Sequence, residues 1–174
     1  MGDVIIKNTL PLWYVLHTKS RSEKVVNEVL VKKSIEVFLP TLHVPSKRKD
    51  RRVMLDLPLF PGYVFVKTGL HSDQYLSILK TSGVVKLVGS KDGPTPVGAP
   101  IIESLRIMVQ SGESILTGLF FEKGERVLVV KGPFTGVSGI FSMHKGQGRV
   151  IVFIDILGQS ASVEVDEEDI KRLE

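Results

Sequence analysis

Residues 57–66 read Leu-Pro-Leu-Phe-Pro-Gly-Tyr-Val-Phe-Val, an apolar run that a Pro-Gly pair interrupts. Pro-Gly pairs mark turns, and the aromatic and β-branched residues that follow are typical of a strand. Because side chains alternate along a strand, Tyr63 and Phe65 share one face, and Val64 and Val66 share the other. Both faces are apolar, so at least one of them must be covered by helices of the same domain or by a partner.

The residues around this run predict an alternation of strands and helices. Residues 12–18 predict a first strand, and Ser20-x-x-Glu23 has the form of a capping box ahead of apolar residues at helical spacing. Two more strands and two more helices are predicted, at residues 35–44 and 84–88 and at residues 71–80 and 101–109. The order β-α-β-β-α-β, closed by a helix, predicts an α+β fold with a ferredoxin-like antiparallel sheet.

The chain divides near residues 111–120, where Ser and Gly are frequent and the apolar period changes. Beyond this stretch, short strand-like segments alternate with glycines, which is typical of a small all-β barrel. We therefore predict an N-terminal domain at residues 1–110, a linker at 111–120 and a barrel at 121–174.

Composition favours a binding protein over an enzyme. The chain has no cysteine, and its four histidines are scattered, so the sequence predicts no metal site and no cofactor. It contains no P-loop lysine, no nucleophile elbow and no zinc-protease motif, which excludes the common catalytic patterns. The absence of a long apolar run predicts a cytoplasmic protein without membrane contact.

Positive charge is concentrated in the N-terminal part. Residues 1–118 hold 16 Lys and Arg against 10 Asp and Glu, whereas residues 119–174 hold 7 against 9. Lys19, Arg21 and Lys24 precede or open the first helix, and five cations lie within residues 47–52. A phosphate ligand suits both groups, since helix N-termini and basic loops attract anions. The alternative is that both groups are solvated surface charges.

Three segments together resemble the NusG family. They are Leu12-Trp13-Tyr14-Val15 with the helix behind Lys19-Ser20-Arg21, Pro58 to Val66 as quoted above, and Gly132-Pro133-Phe134-Thr135-Gly136 near the end. The first two segments are similar to the NusG N-terminal (NGN) domain, and the third is similar to a KOW domain. The basic insertion at residues 47–52 and the Pro-Leu-Phe-Pro run resemble specialised paralogues of the RfaH and UpxY types.

The resemblance implies a transcription antitermination and elongation factor that binds RNA polymerase and raises its processivity, on specific long operons as those paralogues do. The alternative within the family is the general elongation factor. The family's apolar depression holds the clamp coiled coil of the largest subunit, and by position it would include His17, Tyr63 and Phe65. The residues implied to contact upstream or non-template DNA are Lys19, Arg21, Lys24, Lys47, Arg48, Lys49, Arg51, Arg52, Thr81 and Ser82.

The KOW domain of this family recruits partners, which implies contact with a small-subunit ribosomal protein or with Rho. A monomer is expected. The competing interpretation is an RNA- or ribosome-binding KOW protein that acts in translation. Such a protein would carry its positive charge on the KOW segment, whereas residues 119–174 have a balance of 7 cations against 9 anions.

Overall fold

The computed structural model describes residues 10–48, 50, 52–70, 72–118 and 124–174. These residues form two compact units, Met1–Gly98 and Ala99–Glu174. The first unit contains two helices, and its elements in chain order are β1 (Leu12–Thr18), α1 (Glu23–Lys32), β2 (Glu36–Phe38), β3 (Thr41–Pro45), β4 (Met54–Pro58), β5 (Tyr63–Thr68), α2 (Ser72–Leu79), β6 (Val84–Leu87), β7 (Gly89–Ser90) and β8 (Gly93–Pro94).

The first unit is built on a four-stranded antiparallel sheet in the order β2-β5-β1-β6, the ferredoxin-like arrangement that the sequence predicts. One face of the central strands carries Tyr14, Leu16, Val64 and Val66, all buried in a single core. Helices α1 and α2 cover this face with Val26, Leu30 and Ile78. The unit's own helices therefore cover the apolar face that Val64 and Val66 form.

The predicted strand at residues 35–44 is in fact two strands, β2 and β3, separated at Pro40. The run at residues 57–66 is divided in the same way, because β4 ends at Pro58 and β5 begins at Tyr63. Strands β3 and β4 pair only with each other, in a separate two-stranded sheet that we call the arm. Proline cannot donate a ladder hydrogen bond, which explains why both breaks occur at a proline.

The predicted capping box is wrong. Helix α1 begins at Glu23, and its N-cap is Ser22, whose side chain makes no capping hydrogen bond. The Glu23 carboxylate instead accepts a hydrogen bond from the backbone N–H of Gly62, 2.7 Å away. The motif therefore serves a tertiary contact in this fold.

The second unit begins with helix α3 (Ala99–Gln110) and continues as strands. They are β9 (Leu116–Gly118), β10 (Glu125–Val129), β11 (Ser138–His144), β12 (Gln147–Ile154), β13 (Gln159–Glu164) and β14 (Ile170–Arg172), with short 3-10 turns at Asp155–Leu157 and Glu167–Asp169. The strands form one antiparallel sheet in the order β14-β10-β11-β12-β13-β9. Its core is aliphatic, with Val127, Val150 and Ile154 fully buried.

Helix α3 groups with the strands of the second unit. Its Ser104 hydroxyl accepts a hydrogen bond from the backbone N–H of Ser138 on β11, at 3.0 Å. The predicted linker is also partly structured, because residues 116–118 pair with β13 as strand β9. The predicted domain boundaries at residues 110 and 121 thus differ from the boundary of the compact units and stay predictions.

Within the described ranges, no helix is long and apolar enough to cross a membrane.

Candidate functional site

His17 and Tyr63 form a half-buried ring pair at one end of the β1–β5 strand pair. They face each other in register, and their ring centroids are 5.4 Å apart. The next pair on the same sheet face, Val15 and Phe65, is fully buried. An aromatic ring at the edge of a buried apolar face offers a partner both contact area and a polar tip.

Phe65 does not line the surface that the sequence predicts for it. Its side chain is 0% exposed, with ring centroids of Phe38 and Phe60 at 6.0 and 6.4 Å. The alternation along β5 places Phe65 on the right face, but β2 and the turn before β5 cover it. Phe65 therefore supports the ring pair from within the core.

The cations of residues 19–24, which we call the basic junction, lie between β1 and the first turn of α1. Lys19, Arg21 and Lys24 are all exposed. The backbone N–H of Lys19 donates to the carbonyl of Gly83 at 2.7 Å, so the junction adjoins the turn at residues 81–83. The fold thus brings together two of the segments that the resemblance implies for DNA contact.

Arg21 has a strained backbone that the sequence does not reveal. Its φ is +63°, in the left-handed region. This conformation costs an L-residue about 1–2 kcal/mol and is usually occupied by glycine. Strain of this kind is concentrated at functional sites, so it makes Arg21 a stronger candidate for DNA contact.

Thr81 and Ser82 differ sharply in exposure. Thr81 is 4% exposed, and its hydroxyl donates to the carbonyl of Ser77 at 3.0 Å and accepts from Lys33 Nζ at 2.8 Å. The predicted DNA contact by Thr81 therefore needs correction, because its hydroxyl is buried and engaged. Ser82 is exposed and remains the candidate at this turn.

The arm carries its cations at the tip, where Lys47, Arg48 and Arg52 are exposed. Lys49 and Arg51, which the sequence also predicts to contact DNA, lie outside the described residues. One face of the arm is apolar and incompletely covered, with Leu42 opposite Leu57 and Val44 opposite Leu55. The tip cations and the basic junction belong to separate elements of the unit.

A cross-strand pair on the other face of the arm joins its two strands. His43 Nδ1 donates to Asp56 Oδ1 at 2.6 Å, and both side chains are exposed. The hydrogen bond from His43 lowers the pKa of Asp56, and the positive charge of Lys24 contributes to the same shift.

The second unit has an open pocket of about 430 Å³ with four carboxylates among its nine lining residues. Glu113, Glu164, Asp166 and Asp169 lie around it, with Lys131 among them. No group of three or more His, Asp or Glu side chains in the described ranges could hold a metal ion. The charge of the pocket suits a basic ligand.

Comparison with known proteins gives these features a context. A family model described as "Transcription termination factor nusG" matches residues 11–106, more than half of the chain. The chain belongs to the NusG family. All thirteen residues that the sequence predicts for polymerase and DNA contact lie inside the matched range.

Curated NusG proteins match the chain over almost its whole length. "Transcription termination/antitermination protein NusG" of Borreliella burgdorferi is 27% identical, covering 92% of the chain and 98% of its own length. The protein of that name from Pseudomonas aeruginosa is also 27% identical with the same coverage, and that from Rickettsia typhi is 24% identical over 95% of the chain. These names give the chain a role in transcription.

A solved structure supports the fold. "Domain interaction in Thermotoga maritima NusG" superposes with a TM-score of 0.54 at 22% identity, covering 94% of the chain and 98% of that structure. In this chain the first unit is α+β, and the second unit is an antiparallel sheet that helix α3 precedes. The family match covers the segments that the sequence predicts for polymerase and DNA contact. The backbone strain at Arg21 and the hydrogen bond of Glu23 are visible only in the three-dimensional structure.

Proposed function

We propose that this NusG-family chain binds RNA polymerase and increases its processivity as an antitermination factor. The His17–Tyr63 ring pair is the observation that carries the proposal. It is the half-buried edge of a sheet face whose interior is completely packed. A rigid aromatic pair of this kind matches the contact residues that dominate protein interfaces, and its proposed ligand is the clamp coiled coil of the largest subunit.

The mechanism is one of differential affinity and needs no catalysis. If the chain binds the closed, elongating state of polymerase more tightly than a paused state, it shifts the population toward elongation. The packing around Val15 and Phe65 supports this role, because a preorganised surface loses little entropy on binding. A factor of this kind works where bacterial transcription occurs, in the cytoplasm, and as a monomer.

DNA contact is assigned to two cationic groups. The first comprises Lys19, Arg21 and Lys24 of the basic junction, with Ser82 beside them. The second is the tip of the arm, with Lys47, Arg48 and Arg52. Lys49 and Arg51, which belong to the same basic run of the sequence, are proposed with them. Exposed cations bind a single strand through its phosphates with little dependence on base sequence, which suits upstream or non-template DNA in an elongation complex.

The decisive experiment measures binding to the isolated clamp coiled coil. We expect Tyr63→Ala to weaken binding by about 2 kcal/mol, roughly thirtyfold, because buried interface tyrosines contribute on that scale. Tyr75→Ala is the matched control, since Tyr75 is a partly buried tyrosine that packs against the helix-side core. Equal affinity for the Tyr63 and Tyr75 variants would overturn the proposed surface.

The paralogue assignment concerns where the factor acts. We propose specialised recruitment of the RfaH or UpxY type, supported by the basic arm, which is a two-stranded element separate from the NGN sheet. Chromatin immunoprecipitation should then find the chain on a small number of long operons. Uniform occupancy of transcribed genes would instead identify a general elongation factor.

The second unit is proposed to recruit a partner, either a small-subunit ribosomal protein or Rho. Its acidic pocket supports a partner with a basic contact segment. Co-purification from the native cell should recover core polymerase together with that partner. Recovery of ribosomes without polymerase would favour a role in translation.

A further inference from the structure

Glu23 is a buried carboxylate in a surface segment that is otherwise rich in exposed cations. It is 5% exposed, although it is the first residue of α1 and its neighbours Lys19, Arg21 and Lys24 are all exposed. Burying a carboxylate is costly unless it is hydrogen-bonded. Favourable interaction with the helix N-terminus does not require burial, because an exposed carboxylate at this position gains it too.

The partner of Glu23 is the backbone of the turn that precedes Tyr63. Glu23 Oε1 accepts the N–H of Gly62 at 2.7 Å, across 39 positions of the chain. The carbonyl of the same glycine accepts the N–H of Thr18 at 2.8 Å. Both polar groups of Gly62 are therefore fixed, one by the end of β1 and the other by the start of α1.

This turn lies directly behind the ring pair. Gly62 has a φ of +87°, which strongly favours glycine, and a Cβ added there would lie 3.9 Å from His17 Cδ2. Tyr63 follows Gly62 in the chain, and His17 precedes Thr18. A shift of the turn would therefore move both the ring of Tyr63 and the surface against which it lies.

We propose that Glu23 is a positioning residue for the polymerase contact: it holds the Pro61–Gly62 turn so that Tyr63 stays beside His17 before polymerase binds. The inference rests on the proposed function of the ring pair. Without the carboxylate, the turn gains freedom that binding must remove, and affinity falls. Glu23 itself stays buried and does not contact the coiled coil.

Two variants of nearly equal size separate the hydrogen bond from simple packing. Glu23→Gln keeps an acceptor oxygen at the same distance from the backbone, whereas Glu23→Met fills similar space without one. Glu28→Ala, which removes an exposed carboxylate from the same helix, is the control for loss of charge. Binding to the isolated clamp coiled coil is measured on folded protein, together with the Gly62 amide signal in ¹H–¹⁵N spectra.

We expect Glu23→Met to bind about tenfold more weakly, with a shifted Gly62 amide and faster hydrogen exchange there. Glu23→Gln should restore affinity to within about threefold, and Glu28→Ala should bind as the parent chain does. If Glu23→Met fails to fold, Glu23→Asp replaces it, because its carboxylate is one methylene shorter; it should also bind more weakly.

The outcomes distinguish this inference from the function on which it rests. If Tyr63→Ala binds weakly but Glu23→Met or Glu23→Asp binds normally, the positioning role is wrong and the contact surface stands. If Glu23→Met lowers stability while its folded fraction binds normally, Glu23 is only structural. If Tyr63→Ala binds normally, the proposed surface itself fails.

Discussion

The ring-pair face of the sheet and the arm are both made of paired antiparallel strands, yet their cross-strand pairs differ in burial. In the sheet, Val15 and Phe65 lie opposite each other and are both fully buried. In the arm, Leu55 and Leu57 are 40% and 48% exposed although they too face apolar partners. The interior of the sheet face is fixed by tight packing, whereas the arm is a two-stranded element of the kind that is only marginally stable by itself.

This difference indicates two modes of binding. A surface packed from behind presents a fixed shape, and substitutions in it affect folding and binding together. An exposed arm with cations at its tip contributes charge, which acts over about 10 Å at moderate salt and does not require a fixed side-chain geometry. Substitutions in the arm should therefore change binding and leave the free energy of unfolding almost unchanged.

The largest effect is expected in the sheet core. Phe65→Ala should lower the free energy of unfolding by about 3–5 kcal/mol, because it removes a fully buried aromatic ring. Leu57→Ala in the arm should cost less than about 1.5 kcal/mol, since only half of that side chain is buried. Denaturant titrations of both variants make the comparison, and similar decreases would show that the arm is packed as tightly as the sheet.

A milder apolar variant separates folding from binding at Phe65. Phe65→Leu should retain most of the stability and bind the clamp coiled coil within about threefold of the parent chain, because the ring does not reach the surface. A decrease in affinity as large as that expected for Tyr63→Ala would show that Phe65 contacts polymerase directly, as the sequence predicts.

Local sequence patterns predict the secondary structure of the first unit well, but they predict poorly which of its side chains are buried. The strand at residues 12–18 is confirmed with the same bounds, because the run Leu-Trp-Tyr-Val-Leu-His-Thr is rich in aromatic and aliphatic residues and contains no Gly or Pro. The arm is not evident from local patterns, since Pro40 and Pro58 lie within apolar runs that resemble continuous strands, whereas each proline ends a strand pairing. Which apolar pair becomes buried depends on β2 and the helices, and that information is not local.

The candidate site is predictable to a similar degree. Residue type and family resemblance point to His17, Tyr63 and the basic junction, all of which are exposed or half-buried. Thr81 and Ser82 are neighbours in sequence and look equivalent there, but the tertiary contact with Lys33 engages the Thr81 hydroxyl alone. Glu23 has a plausible local role as a cap, and its actual partner is 39 residues away.

The next largest effect concerns the tip of the arm. Replacing Lys47, Arg48 and Arg52 with Ser should lower the salt slope of binding to a full elongation scaffold by roughly 2 to 3, or about 0.7–0.9 for each phosphate that is no longer neutralised. Affinity for the isolated clamp coiled coil and the free energy of unfolding should not change, because exposed charges contribute little to folding. An equal decrease in affinity for scaffold and coiled coil would indicate protein–protein electrostatics instead.

A smaller effect is expected at Arg21, where strain and charge can be separated. Arg21→Gly removes the cost of the left-handed backbone, although glycine also loses more entropy on folding, so stability should stay equal or rise by up to about 1 kcal/mol. The salt slope on the elongation scaffold should fall by roughly 0.7–0.9. Lys145→Gly is the matched control, because Lys145 has a φ of +50° in the second unit.

The Lys145→Gly control shows which result would contradict DNA contact by Arg21. Relief of backbone strain alone should stabilise both variants similarly without changing the salt slope of the Lys145 variant. If Arg21→Gly also leaves the slope unchanged, the cation at position 21 is a solvated charge. In that case the basic junction would contribute to DNA binding only through Lys19 and Lys24.

The smallest effect tests how firmly the arm itself is held. The hydrogen bond from His43 keeps the pKa of Asp56 below its ordinary value, so His43→Phe should raise that pKa toward the ordinary value of an aspartate, as followed by NMR of the Asp56 carboxyl. A depressed carboxyl pKa stabilises the folded state above the unfolded pKa. The contribution is lost in the acidic window in which pH falls through the folded value, below the ordinary pKa of an aspartate. Arm amide shifts should therefore move in that window in the parent chain and move less in the variant, while sheet amides stay unchanged.

If the sheet amides moved together with those of the arm, the two regions would behave as one cooperative structure, and the contrast between a packed face and a charged arm would be wrong.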